Sequence, residues 1–292
     1  MSKLPQYIQN WASELQANSH TSFQSIWLPT SFGKTHVWAA QSNDSHKPNL
    51  LFIPGWQACG LSWDLADQMQ YYTPSHNVYL LDNIGQPGLS DPTPKQFRAS
   101  QYSLWIKEVS DGLHLNHLSL IGESFGGFLT LNLALAAPHK IEKAILFAPA
   151  GFVQVIVGWK MIKHFAALRV RPTPRNAERF LKNIVYNAQH THLQPQTKQR
   201  MADFMAMAFR HSSLIPPPPP YIFKDEQLKS IKVPIALIAG ESDNLFNAPK
   251  TVARARQLLP QLKMTVLLPN ADHSLVICPQ AHQMARQFLG IV

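Results

Sequence analysis

Gly122-Glu123-Ser124-Phe125-Gly126-Gly127 places a serine between two glycines, each two residues away. A serine thrown out at the tip of a sharp turn needs such neighbours, because a side chain at either glycine would clash. Leu118 to Ile121, before it, is apolar and of strand length; Phe125 to Ala137, after it, is an apolar helix-like run closed by Pro138. In a strand–turn–helix setting the serine stands exposed beside a helix N-terminus that favours negative charge, which suits a nucleophile. The bare pattern also fits a plain tight turn.

A serine hydroxyl is a weak nucleophile at neutral pH and needs a base within hydrogen-bond reach. Of the 13 histidines, His273 is the best placed, in Ala271-Asp272-His273-Ser274, just after one apolar run and before the final helix-like stretch. The imidazole needs an acid to hold its tautomer. Gly240-Glu241-Ser242-Asp243-Asn244 follows the apolar run Ile235 to Ala239 and supplies one. Asp243 is the first choice; Glu241 is the other carboxylate this loop can aim, and Asp272 is expected to point elsewhere. Acyl transfer also needs N–H donors aimed at the developing oxyanion. The backbone N–H of Phe125, directly after the serine, is one candidate. The backbone N–H of Trp56, in Ile53-Pro54-Gly55-Trp56-Gln57, is the other.

These residues need a frame that brings loop ends together. Leu50 to Ile53, Val78 to Leu81, Leu118 to Ile121 and Ala144 to Phe147 read as strands buried on both faces. Leu61 to Gln70, Tyr102 to Leu115 and Phe125 to Ala137 read as helices between them. Ser25 to Pro29 and Thr35 to Ala40 suggest an antiparallel hairpin. After residue 230 the alternation resumes, with strands at Ile235 to Ala239 and Met264 to Leu268 and helices at Ala248 to Leu259 and Pro279 to Leu289. Alternating strands and helices imply a mostly parallel sheet with right-handed crossovers. Residues 151–230 break the pattern with helix-like stretches and many prolines, ending in Pro216 to Pro220. They read as an inserted helical cap with a stiff return linker. The expected organisation is core 1–150, cap 151–230 and core 231–292.

Hydrophobic residues make up 45% of the 292 and charged residues 15%, a globular balance. The net charge of +9 is local. Gly151 to Lys232 holds 13 Lys and Arg against four acids, and the rest is balanced. The cap stretch Phe152 to Val170 mixes apolar residues with Lys160, Lys163 and Arg169. This suggests a packed helix with a solvated basic face, ahead of a lid that greets anionic surfaces. No nucleic-acid motif accompanies the charge. With only Cys59 and Cys278, a disulfide framework is not indicated, and a lone disulfide stays open. No apolar run is long enough to span a membrane, and Met1 to Gln16 does not read as a secretory leader, so a cytoplasmic enzyme is expected.

Taken together, Pro54-Gly55-Trp56 with Trp63, the segment Asp82-Asn83-Ile84-Gly85-Gln86-Pro87-Gly88-Leu89-Ser90, the serine turn and the Asp243 and His273 loops resemble the α/β-hydrolase superfamily. The likeness is closer to its capped carboxylesterase-like members and covers about residues 25–150 and 230–292. Ser, Asp, His is the chain order of that fold. Many members carry His-Gly where this chain has Pro54-Gly55. The resemblance implies an α/β-hydrolase fold, with the Asp82–Ser90 segment as a structural loop beside the site. It also implies hydrolysis of a small-molecule carboxylic ester through an acyl-enzyme, with no cofactor or metal. Ser124 argues against relatives that cleave carbon–halogen bonds or epoxides with an aspartate. Acyltransferase, thioesterase and carbon–carbon bond hydrolase chemistry remain open on the same residues, as does a non-catalytic binding protein.

Overall fold

The apolar runs pair into one eight-stranded sheet. The computed structural model describes residues 4–40, 44, 46–115, 117–186, 193–211 and 217–291. The strands are β1 (Phe23–Thr30), β2 (Gly33–Ala40), β3 (Asn49–Ile53), β4 (Asn77–Leu81), β5 (Leu118–Glu123), β6 (Ile141–Phe147), β7 (Ile235–Gly240) and β8 (Leu262–Leu268). Their order is β1-β2-β4-β3-β5-β6-β7-β8. The β1–β2 and β2–β4 pairs are antiparallel and the others parallel. β3 shows why both faces are covered. Leu50 and Phe52 pack toward Trp63 and Tyr72, while Leu51 and Ile53 pack toward Trp105 and Leu129, as the two-residue strand period requires.

The helices joining parallel strands follow the expected spans. α2 (Tyr102–Gly112) precedes β5, α3 (Phe125–Ala136) follows it, and α8 (Ala248–Leu258) and α9 (Pro279–Leu289) close the chain. The helix read over 61–70 is absent. Two short 3₁₀ turns, Gly60–Asp64 and Met69–Tyr71, stand there. Asp64 accepts the Met69 N–H and the Ser19 hydroxyl, and Asp67 takes a left-handed φ of 54°, which breaks the helix. A helix not read from the sequence, α1 (Leu4–Gln16), buries Ile8, Trp11, Ala12 and Leu15 on one face.

Between β6 and β7 the described residues hold helices and no strand. These are α4 (Trp159–Val170), α5 (Pro174–Phe180) running into a π-helical turn at Leu181–Val185, α6 (Pro195–His211) and α7 (Asp225–Ser230). The two ends of the insertion meet: the Phe223 N–H donates to the Gly151 carbonyl at 2.9 Å. α1 braces it from the core, with the Trp11 and Phe204 ring centroids 4.7 Å apart. Pro217 to Pro220 carry neither helix nor strand, and the Tyr102 hydroxyl donates to the Pro218 carbonyl. Pro216 lies outside the described residues.

Candidate active site

Ser124 sits where β5 meets α3, with φ 51° and ψ −111°. A non-glycine residue there is strained, so the surroundings must hold it. Three backbone bonds do so. Its N–H donates to Phe147, and its carbonyl accepts from Phe128 and Ala150. The flanking glycines are sterically required. A Cβ on Gly122 would lie 2.4 Å from the Gly126 carbonyl oxygen, and one on Gly126 would lie 1.9 Å from that of Ile53.

His273 and Asp243 arrive on the loops after β8 and β7. The Nδ1 of His273 lies 2.9 Å from Oδ2 of Asp243, and the two side chains are 7% and 1% exposed. The other oxygen, Oδ1, accepts the N–H groups of Leu245 and Phe246. With both oxygens engaged, the carboxylate cannot swing away from the imidazole. Glu241 is exposed. Asp272 turns back on its own loop, accepting the Ser274 N–H.

Ser124 and His273 open onto the same cavity, about 150 Å³ in volume, together with Trp56. Its walls are mainly apolar: Leu65 from the core, Met161, Phe180, Met201 and Met205 from the insertion, and Leu245 from the acid loop. A larger cleft of about 410 Å³ adjoins it at Leu65 and Ser274, but neither Ser124 nor His273 lines it.

The Trp56 loop is pinned on both sides. The Asn83 side chain donates to the Pro54 carbonyl, and the Gln57 N–H donates to Oε1 of Gln86 at 2.9 Å. Gln57 takes a left-handed φ of 58°. Gly55 lies against Ser124, where an added Cβ would be 3.6 Å from the serine Cβ. The Trp56 ring faces the insertion, 6.2 Å from Phe165 and 6.0 Å from Phe209. Phe125 begins α3, where the first N–H groups have no carbonyl of their own helix to bond. Its ring packs on Tyr102 and Phe128. The Asp82 segment is a scaffold: its carboxylate accepts the Gly60 and Leu89 N–H groups and pairs with His36. That second His–Asp pair is wholly buried, so it has no access to a substrate.

Two residues beside the site carried no assignment from the sequence. Gln86 is one. The other is Glu123, whose Oε1 accepts the Val276 N–H across 153 residues of chain. The Val276 carbonyl in turn accepts from Nε2 of His282, whose Nδ1 meets the Tyr72 hydroxyl. The loop carrying His273 is thereby clamped to the end of β5, directly before Ser124. Burial pushes the Glu123 carboxyl up to about 7. Burial acts on His273 in the opposite sense, but the Asp243 charge and hydrogen bond, then Glu123 and Asp272, outweigh it and raise its pKa. A base must be neutral to accept a proton, so kcat/KM is expected to fall on the acid side, at a pH above the ordinary imidazole value. Glu123→Gln keeps an acceptor for Val276 and removes the charge. It should move that limb to lower pH, and a pH–rate profile with an unmoved limb would contradict the coupling.

The family model described as "Alpha/beta hydrolase family" matches residues 50–287, and the chain belongs to that family. The carboxylesterase YbfK of Bacillus subtilis is 28% identical to this chain over 256 residues, covering 86% of this chain and 82% of that protein. The crystal structure of that carboxylesterase, CesB (YbfK), superposes with a TM-score of 0.81 at 25% identity, covering 99% of this chain and 98% of that one. The structure of naproxen esterase (carboxylesterase NP) from B. subtilis has a TM-score of 0.83 at 24% identity, over 99% of both chains.

Proposed function

We propose that this protein is a serine carboxylesterase. Ser124, His273 and Asp243 form its triad, and residues 151–230 cap its site. The observation that carries the reading is that His273, paired with the buried Asp243, lines one apolar cavity together with Ser124. The curated relative that is a carboxylesterase supports ester hydrolysis as the reaction. His273 takes the proton of Ser124 as the serine oxygen attacks the ester carbonyl carbon. The Phe125 and Trp56 N–H groups hold the oxyanion. The alcohol leaves with the proton from His273, and water activated by the same imidazole then frees the acid. Asp243 keeps Nδ1 protonated so that Nε2 faces the serine. The apolar walls favour uncharged acyl groups, since a charge there would be desolvated without a partner.

The test is turnover of p-nitrophenyl esters of graded acyl length. Sustained hydrolysis supports the reading; failure with every ester would overturn it. Gln86 is a positioning residue in this scheme, because it fixes the turn that presents Trp56. Gln86→Leu removes the acceptor of the Gln57 N–H and should lower kcat about ten- to a hundredfold with little change in KM. Gln86→Glu retains an acceptor and should recover most of the loss. Equal losses in both variants would reduce Gln86 to a packing role.

A further inference from the structure

The chain entering α4 leaves apolar side chains in solvent. Residues 154 to 160 are all exposed, with Trp159 at 76% and Val157 at 62%. Val155, Ile156 and Ile162 are each nearly half exposed. Scattered exposed apolar residues need no explanation, but a contiguous group does. The same stretch is basic. Lys160 and Lys163 lie among these residues, Arg169 and Arg171 follow, and no acid occurs between Glu142 and Glu178. The positive field reaches His164, whose pKa is lowered by burial and then by Lys163, Arg179 and Lys160. The segment is tied inward: the Ile156 N–H donates to the Leu245 carbonyl. Asp243, two residues from Leu245, is spent on His273 and is buried, so it does not offset the outer charge.

We infer that this segment, Val155 to Lys163, is a docking surface for an anionic lipid bilayer. Tryptophan and the β-branched residues enter the boundary between headgroups and acyl chains, while the two lysines meet lipid phosphates. Charge selects this occupant. A second copy of the chain in a two-fold contact over this segment would bring the lysines of two such segments into one interface, with no acid in either segment to pair them. The binding is peripheral, since no described helix is long and apolar enough to cross a membrane. The inner side of the same helix places Met161 on the wall of the catalytic cavity, so the docked face is also a face of the site. The inference goes beyond ester hydrolysis and does not depend on it.

The test is co-sedimentation of the full chain with sucrose-loaded vesicles at roughly 0.1 M salt. One set is pure phosphatidylcholine and the other is one quarter phosphatidylglycerol. The protein should pellet at least about tenfold more with the anionic set, since each lysine near the surface adds to the attraction. Lys160→Gln with Lys163→Gln should lower partitioning about thirtyfold, two such contributions multiplied. Trp159→Ser should lower it about tenfold. Circular dichroism of these variants should match that of the parent. Equal pelleting with both vesicle sets, or unchanged pelleting of the folded variants, would overturn the inference. So would sedimentation velocity showing a dimer that the variants dissolve, because the occupant would then be a second copy.

Discussion

Ser124→Ala should give a folded protein whose turnover of p-nitrophenyl esters is lower by about a thousandfold or more. The fold should survive because the strained turn is held by backbone groups that alanine also has. The N–H still donates to Phe147, and the carbonyl still accepts from Phe128 and Ala150. The glycines that make room for the turn are untouched. The variant loses one oxygen, and with it the acyl-enzyme. Any remaining rate reflects binding and oxyanion stabilisation acting on water. Thermal unfolding should match the parent within a few degrees, and steady-state kinetics reads the loss. Retained turnover in the purified variant would remove Ser124 from the mechanism.

Asp243→Asn should lower kcat by about 10⁴, a loss of the size that follows from a wrong imidazole tautomer. The structure specifies why. Oδ1 accepts two backbone N–H groups, from Leu245 and Phe246, so the asparagine oxygen must keep that position. Its amide NH₂ is then turned toward Nδ1 of His273, where Oδ2 stood 2.9 Å away. Nδ1 must accept, Nε2 carries the proton, and the imidazole faces the serine as a donor. Glu241→Gln alters an exposed side chain and should leave kcat within about twofold, as surface changes away from a site generally do. A larger loss at Glu241 than at Asp243 would reverse the assignment of the acid. Two carboxylates on one loop could not be separated from sequence, because backbone geometry alone decides which is aimed at the histidine.

What was legible in the chain was what repeats or sits locally. The runs of β3 to β7 are apolar because both sheet faces are covered there, so they stand out without any contact information. The glycines around Ser124 mark a turn whose steric demand is local. What depends on contacts far along the chain was not legible. Glu123 meets Val276 and Gln57 meets Gln86, and neither pair follows a sequence period. Leu61, Leu65 and Met69 have helical spacing but pack from two 3₁₀ turns, because the Asp64 carboxylate and the left-handed Asp67 break the helix. The face of α1 carried its own signal at Ile8, Trp11, Ala12 and Leu15, yet its role depends on α6, which lies far along the chain. The stretch Phe152 to Val170 is expected from the sequence to be a packed helix with a solvated basic face; α4 does present Lys160 and Lys163, but Val157 and Trp159 stand in solvent beside them.

The most direct measurement is reaction of the native protein with a fluorophosphonate, followed by peptide mass spectrometry. The triad predicts one covalent adduct, on Ser124, formed in step with the loss of ester turnover. No adduct under conditions where esters are hydrolysed, or an adduct on another residue, would contradict Ser124 as the nucleophile.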